Sequence, residues 1–292
     1  MNKTLQNKIN FDYAQVGGVR LHYATAGDGE KLVLLLHGFP EFWYSWRKQL
    51  VDLSDEYTVV APDMRGYNLS DKPENVSDYK IEKLVDDVTG LINHFGHKKA
   101  FVVGHDWGAG VAWATALRHP EYVEKLVALQ VPPPAVWRKN QTFGQLLASW
   151  YMFLFQIPKL PEWLLSQNNF QGLEDGLKNS TAEKGIFSTE EIAEYKKAWS
   201  EQDALKSAIN YYRANILKRL FGKVDNTEKI KVPTLFIYGE QDHAILPETV
   251  KNIGDFIDAE YEEIRIPTAG HWVQQEAPKA VTDSIREFLK DV

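Results

Sequence analysis

Residues 100–110 read Ala-Phe-Val-Val-Gly-His-Asp-Trp-Gly-Ala-Gly, and a helix-like stretch continues through Ala112, Ala114 and Ala116. An apolar strand-like run thus breaks at Gly104-His105-Asp106-Trp107-Gly108 and passes straight into a helix. A strand that turns so sharply into a helix lifts the central side chain above the sheet. Gly104 and Gly108 flank that residue two positions either side, where a Cβ would crowd the turn. Such a junction demands an α/β architecture with a sheet edge beneath the lifted residue.

The rest of the chain carries the same alternation. Gly17-Gly18 joins residues 13–16 to 19–24 as a hairpin. Short apolar runs at 31–36, 57–61, 100–103 and 125–129 alternate with amphipathic segments at 46–53, 80–95 and 109–118. That pattern predicts βαβ units and a mostly parallel sheet flanked by helices. Two further runs, 234–238 and 261–266, and a final helix at 278–289 complete it. The interruption opens at Pro132-Pro133-Pro134, which neither a helix interior nor a central strand accommodates. Beyond it the chain is aromatic and helix-patterned at 143–155, 161–165, 189–199 and 204–220. The expectation is a core of residues 1–133 and 225–292 with an all-helical cap, or lid, at 134–224.

Bulk properties narrow the class. The 292 residues are 44% hydrophobic, with a net charge of −7, which gives no electrostatic pull toward nucleic acid or an anionic membrane. Zero cysteines exclude disulfides, a thiol nucleophile and Cys-based metal sites. The opening residues contain no apolar signal region and no run reaches the roughly 18 apolar residues of a membrane span, so a cytoplasmic protein is expected.

The central residue of the turn sets the chemistry. A serine there needs a base to become a nucleophile, whereas the Asp106 carboxylate, with a reference pKa of about 3.9, is already anionic at neutral pH. Carboxylates attack esters unproductively because the resulting anhydride reverts. They suit displacement at sp³ carbon, which gives an alkyl ester that water can hydrolyse. A nucleophile of this kind needs a base and a group to orient it, in the chain order nucleophile, acid, histidine. Asp242 follows the run 234–238 in Gly239-Glu240-Gln241-Asp242, and His271 follows 261–266 in Thr268-Ala269-Gly270-His271-Trp272. All three then stand at carboxyl ends of strands, where open α/β sheets place their sites. His37-Gly38-Phe39-Pro40 ends the run 31–36, and its Phe39 N–H pairs with that of Trp107 as an oxyanion hole. His22, His94, His97 and His119 read as surface or helix-end residues.

With these residues in hand, the chain resembles the α/β-hydrolases and, within them, the epoxide hydrolases of the bacterial soluble type. The similar stretches are His37 to Arg47, Asp63-Met64-Arg65-Gly66-Tyr67-Asn68-Leu69-Ser70, Gly104 to Gly108, Gly239 to Asp242 and Gly270-His271-Trp272. The resemblance implies that two cap tyrosines hydrogen-bond the epoxide oxygen. Tyr151 in Tyr151-Met152-Phe153 and Tyr212 in Asn210-Tyr211-Tyr212-Arg213 match that pair. It implies conversion of an epoxide to a vicinal 1,2-diol through a hydroxyalkyl ester on Asp106, with no metal or cofactor. His37, Pro40, Trp150 and Phe155 are expected to bind a small apolar substrate, in a monomer or homodimer.

A haloalkane or haloacid dehalogenase uses the same Asp nucleophile and is the alternative. Many haloalkane dehalogenases place a halide-binding Asn where this chain has Phe39. The haloacid enzymes carry Arg where it has Trp107, and several place the acid after the sixth strand, where it has Leu129-Gln130-Val131.

Overall fold

The computed structural model describes residues 8–221 and 228–290. Eight strands form one sheet: β1 (Asn10–Val16), β2 (Val19–Ala26), β3 (Leu32–Leu36), β4 (Thr58–Pro62), β5 (Ala100–His105), β6 (Val123–Leu129), β7 (Thr234–Gly239) and β8 (Tyr261–Ile266), in the order β1-β2-β4-β3-β5-β6-β7-β8. β2 runs antiparallel to both of its neighbours, and every other pairing is parallel. This is the expected mostly parallel α/β sheet. Gly17 and Gly18 close the β1–β2 hairpin with φ of 54° and 79°, as a tight turn with two positive-φ positions requires.

The central strands read as unbroken apolar runs because helices cover both faces. Every residue of β3 (LVLLL), β5 (AFVVGH) and β7 (TLFIYG) is buried. One core layer packs against α2 (Ile81–His94) and α3 (Trp107–Arg118), the other against α1 (Arg47–Asp52) and α11 (Pro278–Lys290), with the short α10 (Val273–Glu276) beside them.

Between β6 and β7 the named elements among the described residues are helices: α4 (Pro134–Lys139), α5 (Phe143–Ala148), α6 (Trp150–Leu154), α7 (Leu160–Asn179), α8 (Thr189–Trp199) and α9 (Ala204–Phe221). The expected resumption of the core at residue 225 lies outside the described residues. The stretch 143–155, expected as one helix, is two, separated at Ser149 with its non-helical φ −91°, ψ 12°. α7 is longer than the 161–165 segment expected, and it kinks where Asn168, Asn169 and Phe170 take left-handed φ of 49°, 56° and 61°. α8 starts at a capping box, in which Ser188 and Glu191 satisfy each other's backbone N–H groups.

Side-chain hydrogen bonds fasten these helices to the rest of the chain. Tyr211 donates to Arg65 O at 2.7 Å, and the Trp199 indole to Pro40 O at 2.6 Å. Fully buried Gln145 donates to Ala244 O and accepts from Leu246 N. Among the described residues no helix is long and apolar enough to cross a membrane.

Candidate active site

Asp106 joins β5 to α3 with φ 51° and ψ −116°, a backbone conformation that a residue bearing a Cβ adopts only under constraint. Packing supplies the constraint. A Cβ on Gly104 would lie 2.3 Å from Gly108 O, and one on Gly108 would lie 2.1 Å from Leu36 O, so the turn and β3 close on each other only through glycine. Phe39 N donates to Asp106 Oδ1 at 2.9 Å. Trp107 opens α3, so its amide is among the first-turn N–H groups that have no partner within the helix. The positive end of the helix dipole therefore also faces Asp106. His37 belongs to the same loop, but it is fully buried and both of its ring nitrogens bond backbone: Nδ1 meets Gly38 O at 2.9 Å and Nε2 accepts from Met64 N at 3.0 Å. It orders the loop, with both ring nitrogens engaged by backbone.

Asp242 and His271, the expected acid and base, stand beside this carboxylate. His271 Nδ1 meets Asp242 Oδ2 at 2.8 Å, and His271 Nε2 lies 3.8 Å from Asp106 Oδ2. The second distance exceeds hydrogen-bond length, so that oxygen of Asp106 is not tied to the imidazole beside it. Asp242 Oδ1 accepts from Ala244 N and Ile245 N at 2.7 and 3.0 Å, and its other oxygen accepts a second bond from Gln130. Burial would push the His271 pKa down. The charge and hydrogen bond of Asp242, with the charges of Asp106 and Glu41, outweigh it and hold the pKa at about 9. Glu276 fixes the base loop by accepting from Gly270 N, Trp272 N and Ala182 N, the last from the helical segment.

Three polar residues at this site were given no role by the sequence. His105, adjoining the nucleophile, meets His271 O with Nε2 at 2.8 Å and Glu41 Oε2 with Nδ1 at 3.0 Å, and both side chains are fully enclosed. Glu41 also accepts from Gln275 at 2.7 Å, which makes a hydrogen-bonded layer behind the base. The third is Gln130. Adjacency to the motifs was the only signal for His105 and Glu41, and sequence does not separate a buried carboxylate from a surface one. Conversely, His22 is not a surface residue: it is 5% exposed and meets Asp63 Oδ2 at 2.6 Å.

Over Asp106 the helices form an apolar roof. A narrow cavity with about 20 Å³ of free space is lined by Asp106, Trp107, Val131, Trp137, Met152 and Tyr212, among others. Tyr212 is 2% exposed, and its ring is held edge-on by Phe39, Trp107 and Phe155 at centroid distances of 5.4, 5.1 and 4.9 Å. Burial pushes its phenol well above 10, with Tyr151 and Asp106 adding to the rise and a hydrogen bond from Trp107 opposing it, so it stays protonated. Tyr151 lies beside it, 6.0 Å between ring centroids. Tyr211 faces the other way, with its hydroxyl on Arg65 O. Phe155 is buried against both tyrosines. Pro40 lines a second small cavity with Phe39, Glu41, Tyr67 and Trp199. Trp150, also expected at the substrate, is 61% exposed and stands outside the lining of the cavity over Asp106. Among the described residues no group of three or more His, Asp or Glu side chains is arranged to hold a metal ion.

Comparison with known proteins agrees with this geometry. Residues 31–278 match the family described as alpha/beta hydrolase fold. An AB hydrolase superfamily protein of Bacillus subtilis (strain 168), YfhM, is 40% identical over 97% of this chain and 99% of its own length. Epoxide hydrolase 3 of Xenopus tropicalis is 39% identical over 94% of this chain and 76% of its own. The crystal structure of the Bacillus megaterium epoxide hydrolase in complex with an inhibitor superposes with a TM-score of 0.87 at 34% identity, covering 96% of this chain and 100% of that one.

Proposed function

The chain belongs to the alpha/beta hydrolase fold family and, within it, to the epoxide hydrolases, and from that membership we propose a two-step conversion of apolar epoxides to 1,2-diols centred on Asp106. The observation that carries the reading is the pairing of a carboxylate and a phenol whose pKa burial raises, Asp106 and Tyr212, as walls of one apolar cavity. A cavity of that kind suits an uncharged substrate whose oxygen needs a donor as the ring opens.

In the first step an Asp106 oxygen attacks a ring carbon and the C–O bond breaks. Its electron pair passes to the departing oxygen, which takes hydrogen bonds from Tyr151 and Tyr212. The helices α4–α9 serve as the lid that carries both phenols. Esterification removes the negative charge on Asp106 and with it one of the causes that hold the His271 pKa high. The proton that His271 releases equals the one the new alkoxide requires. Neutral His271, oriented by Asp242, then takes a proton from water as the water oxygen attacks Cγ of Asp106. The Phe39 and Trp107 amides hold the oxyanion, and the ester C–O bond breaks as the departing oxygen takes the second proton of that water, releasing the diol. Asp106 returns as carboxylate and His271 as imidazolium, so charge and protons balance over the cycle.

The test is His271→Gln exposed to styrene oxide. Intact-mass analysis should show a stoichiometric adduct on the Asp106 peptide without turnover, and Asp106→Ala should show neither. Full turnover by His271→Gln would remove the base assignment. Absence of any adduct would overturn the covalent reading.

A further inference from the structure

Gln130 is the residue after β6, and its carboxamide touches Asp242. It is fully buried, and its backbone has φ 67°, with Val131 N bonded to Leu129 O at 2.8 Å across it. A glutamine is held in such a three-residue turn only when its surroundings fix it there. Three side-chain bonds do so. Nε2 donates to Asp242 Oδ2 at 2.7 Å and to Gly270 O at 2.9 Å, and Oε1 accepts from Gly239 N at 2.6 Å. One amide therefore ties the end of β7, the acid beyond it and the residue preceding His271. The loops it joins are in close contact: a Cβ on Gly239 would lie 2.5 Å from Gly270 O. Asp242 Oδ2 receives Gln130 and His271 together, so the direction from which the acid meets the imidazole depends on the amide. None of these three bonds reaches Asp106 or Tyr212.

We propose that Gln130 is a positioning residue for the water-activating half of the site, governing hydrolysis of the Asp106 ester and not ring opening. The proposal rests on the covalent reading above. Only a side chain that both donates and accepts satisfies the three partners. Methionine fills similar space without either function. Glutamate keeps the acceptor for Gly239 but meets Asp242 with a second carboxyl, which donates only while it holds a proton.

The experiment resolves the two half-reactions by rapid mixing with styrene oxide, following intrinsic fluorescence and quenched intact mass, on the unsubstituted protein, Gln130→Met, Gln130→Glu and His271→Gln. In Gln130→Met, adduct formation should stay within about threefold while ester breakdown slows on the order of 10²-fold, the effect of a reacting group misplaced by an ångström, so that the adduct accumulates at steady state. Gln130→Glu should hydrolyse the ester only where His271 is already neutral and the new carboxyl still holds its proton, so that its rate passes through a maximum and falls at high pH, reversing the slope of the unsubstituted protein there. The reversed slope is a readout that loose packing would not produce, and this variant tests the proposal alone should the methionine variant fail to fold. Ester breakdown within twofold of the unsubstituted rate in both variants, or equal slowing of both steps with unchanged pH slopes, would overturn the proposal while His271→Gln still traps its adduct. No adduct on His271→Gln would overturn it together with the covalent reading.

Discussion

Replacing Tyr212 by phenylalanine removes one hydroxyl from a ring whose place is fixed by everything else around it. Phe39, Trp107, Phe155 and Tyr151 surround it at centroid distances between 4.9 and 6.0 Å, ring contacts that survive loss of the oxygen and of its hydrogen bond from Trp107. The ring should therefore stay in place. What is lost is a donor to an oxygen that becomes alkoxide, and a hydrogen bond to a charged group contributes about 1.5–3 kcal/mol. At about 1.4 kcal/mol per decade, ring opening should slow roughly 10- to 150-fold. Hydrolysis of the Asp106 ester uses His271 and the oxyanion hole, so that step should be unchanged. The assay is single-turnover mixing of excess protein with styrene oxide, the adduct being quantified by mass, with Tyr151→Phe and the double variant in parallel. If the two phenols meet one oxygen, the double variant should lose more than either single variant. Ring opening by Tyr212→Phe within twofold of the unsubstituted rate, or an equal loss in ester hydrolysis, would refute the reasoning.

The pH dependence of the two steps should differ. In the resting protein His271 is protonated below about 9, and it must be neutral to activate water, so ester hydrolysis should accelerate as the pH rises. Because esterification cancels the Asp106 charge, the midpoint should fall below the resting value; stopped-flow pH profiles with a midpoint above it would contradict the assignment. Tyr211→Phe, by contrast, should leave both steps near their original rates. Tyr211 bonds Arg65 O inside the core, and leaving that acceptor unpaired should lower stability by about 1–3 kcal/mol in urea unfolding. A selective loss of ring opening there would mean that the wrong tyrosine of the pair has been assigned to the substrate.

Local pattern by itself determined much of this protein. Strand and helix periodicities, the prolines after β6 and the glycines around Asp106 are restrictions on the backbone of neighbouring residues, and they suffice for the mostly parallel sheet and the strained turn. Chain order supplied Asp242 and His271, because strand ends in a parallel sheet meet at one edge. Polar pairing, in contrast, was decided only by the tertiary structure. Gln130 meets Asp242 across 112 residues, His105 meets Glu41 across 64, and Gln275 meets Glu41 across 234. The direction of a side chain on a continuous helix was decided there as well, with Tyr211 turned into the core and Tyr212 over Asp106, while His37 is closed within its own loop. A buried polar group must find its partner wherever the fold brings one. The identity of that partner is a property of packing between distant segments, and no neighbourhood along the chain contains it.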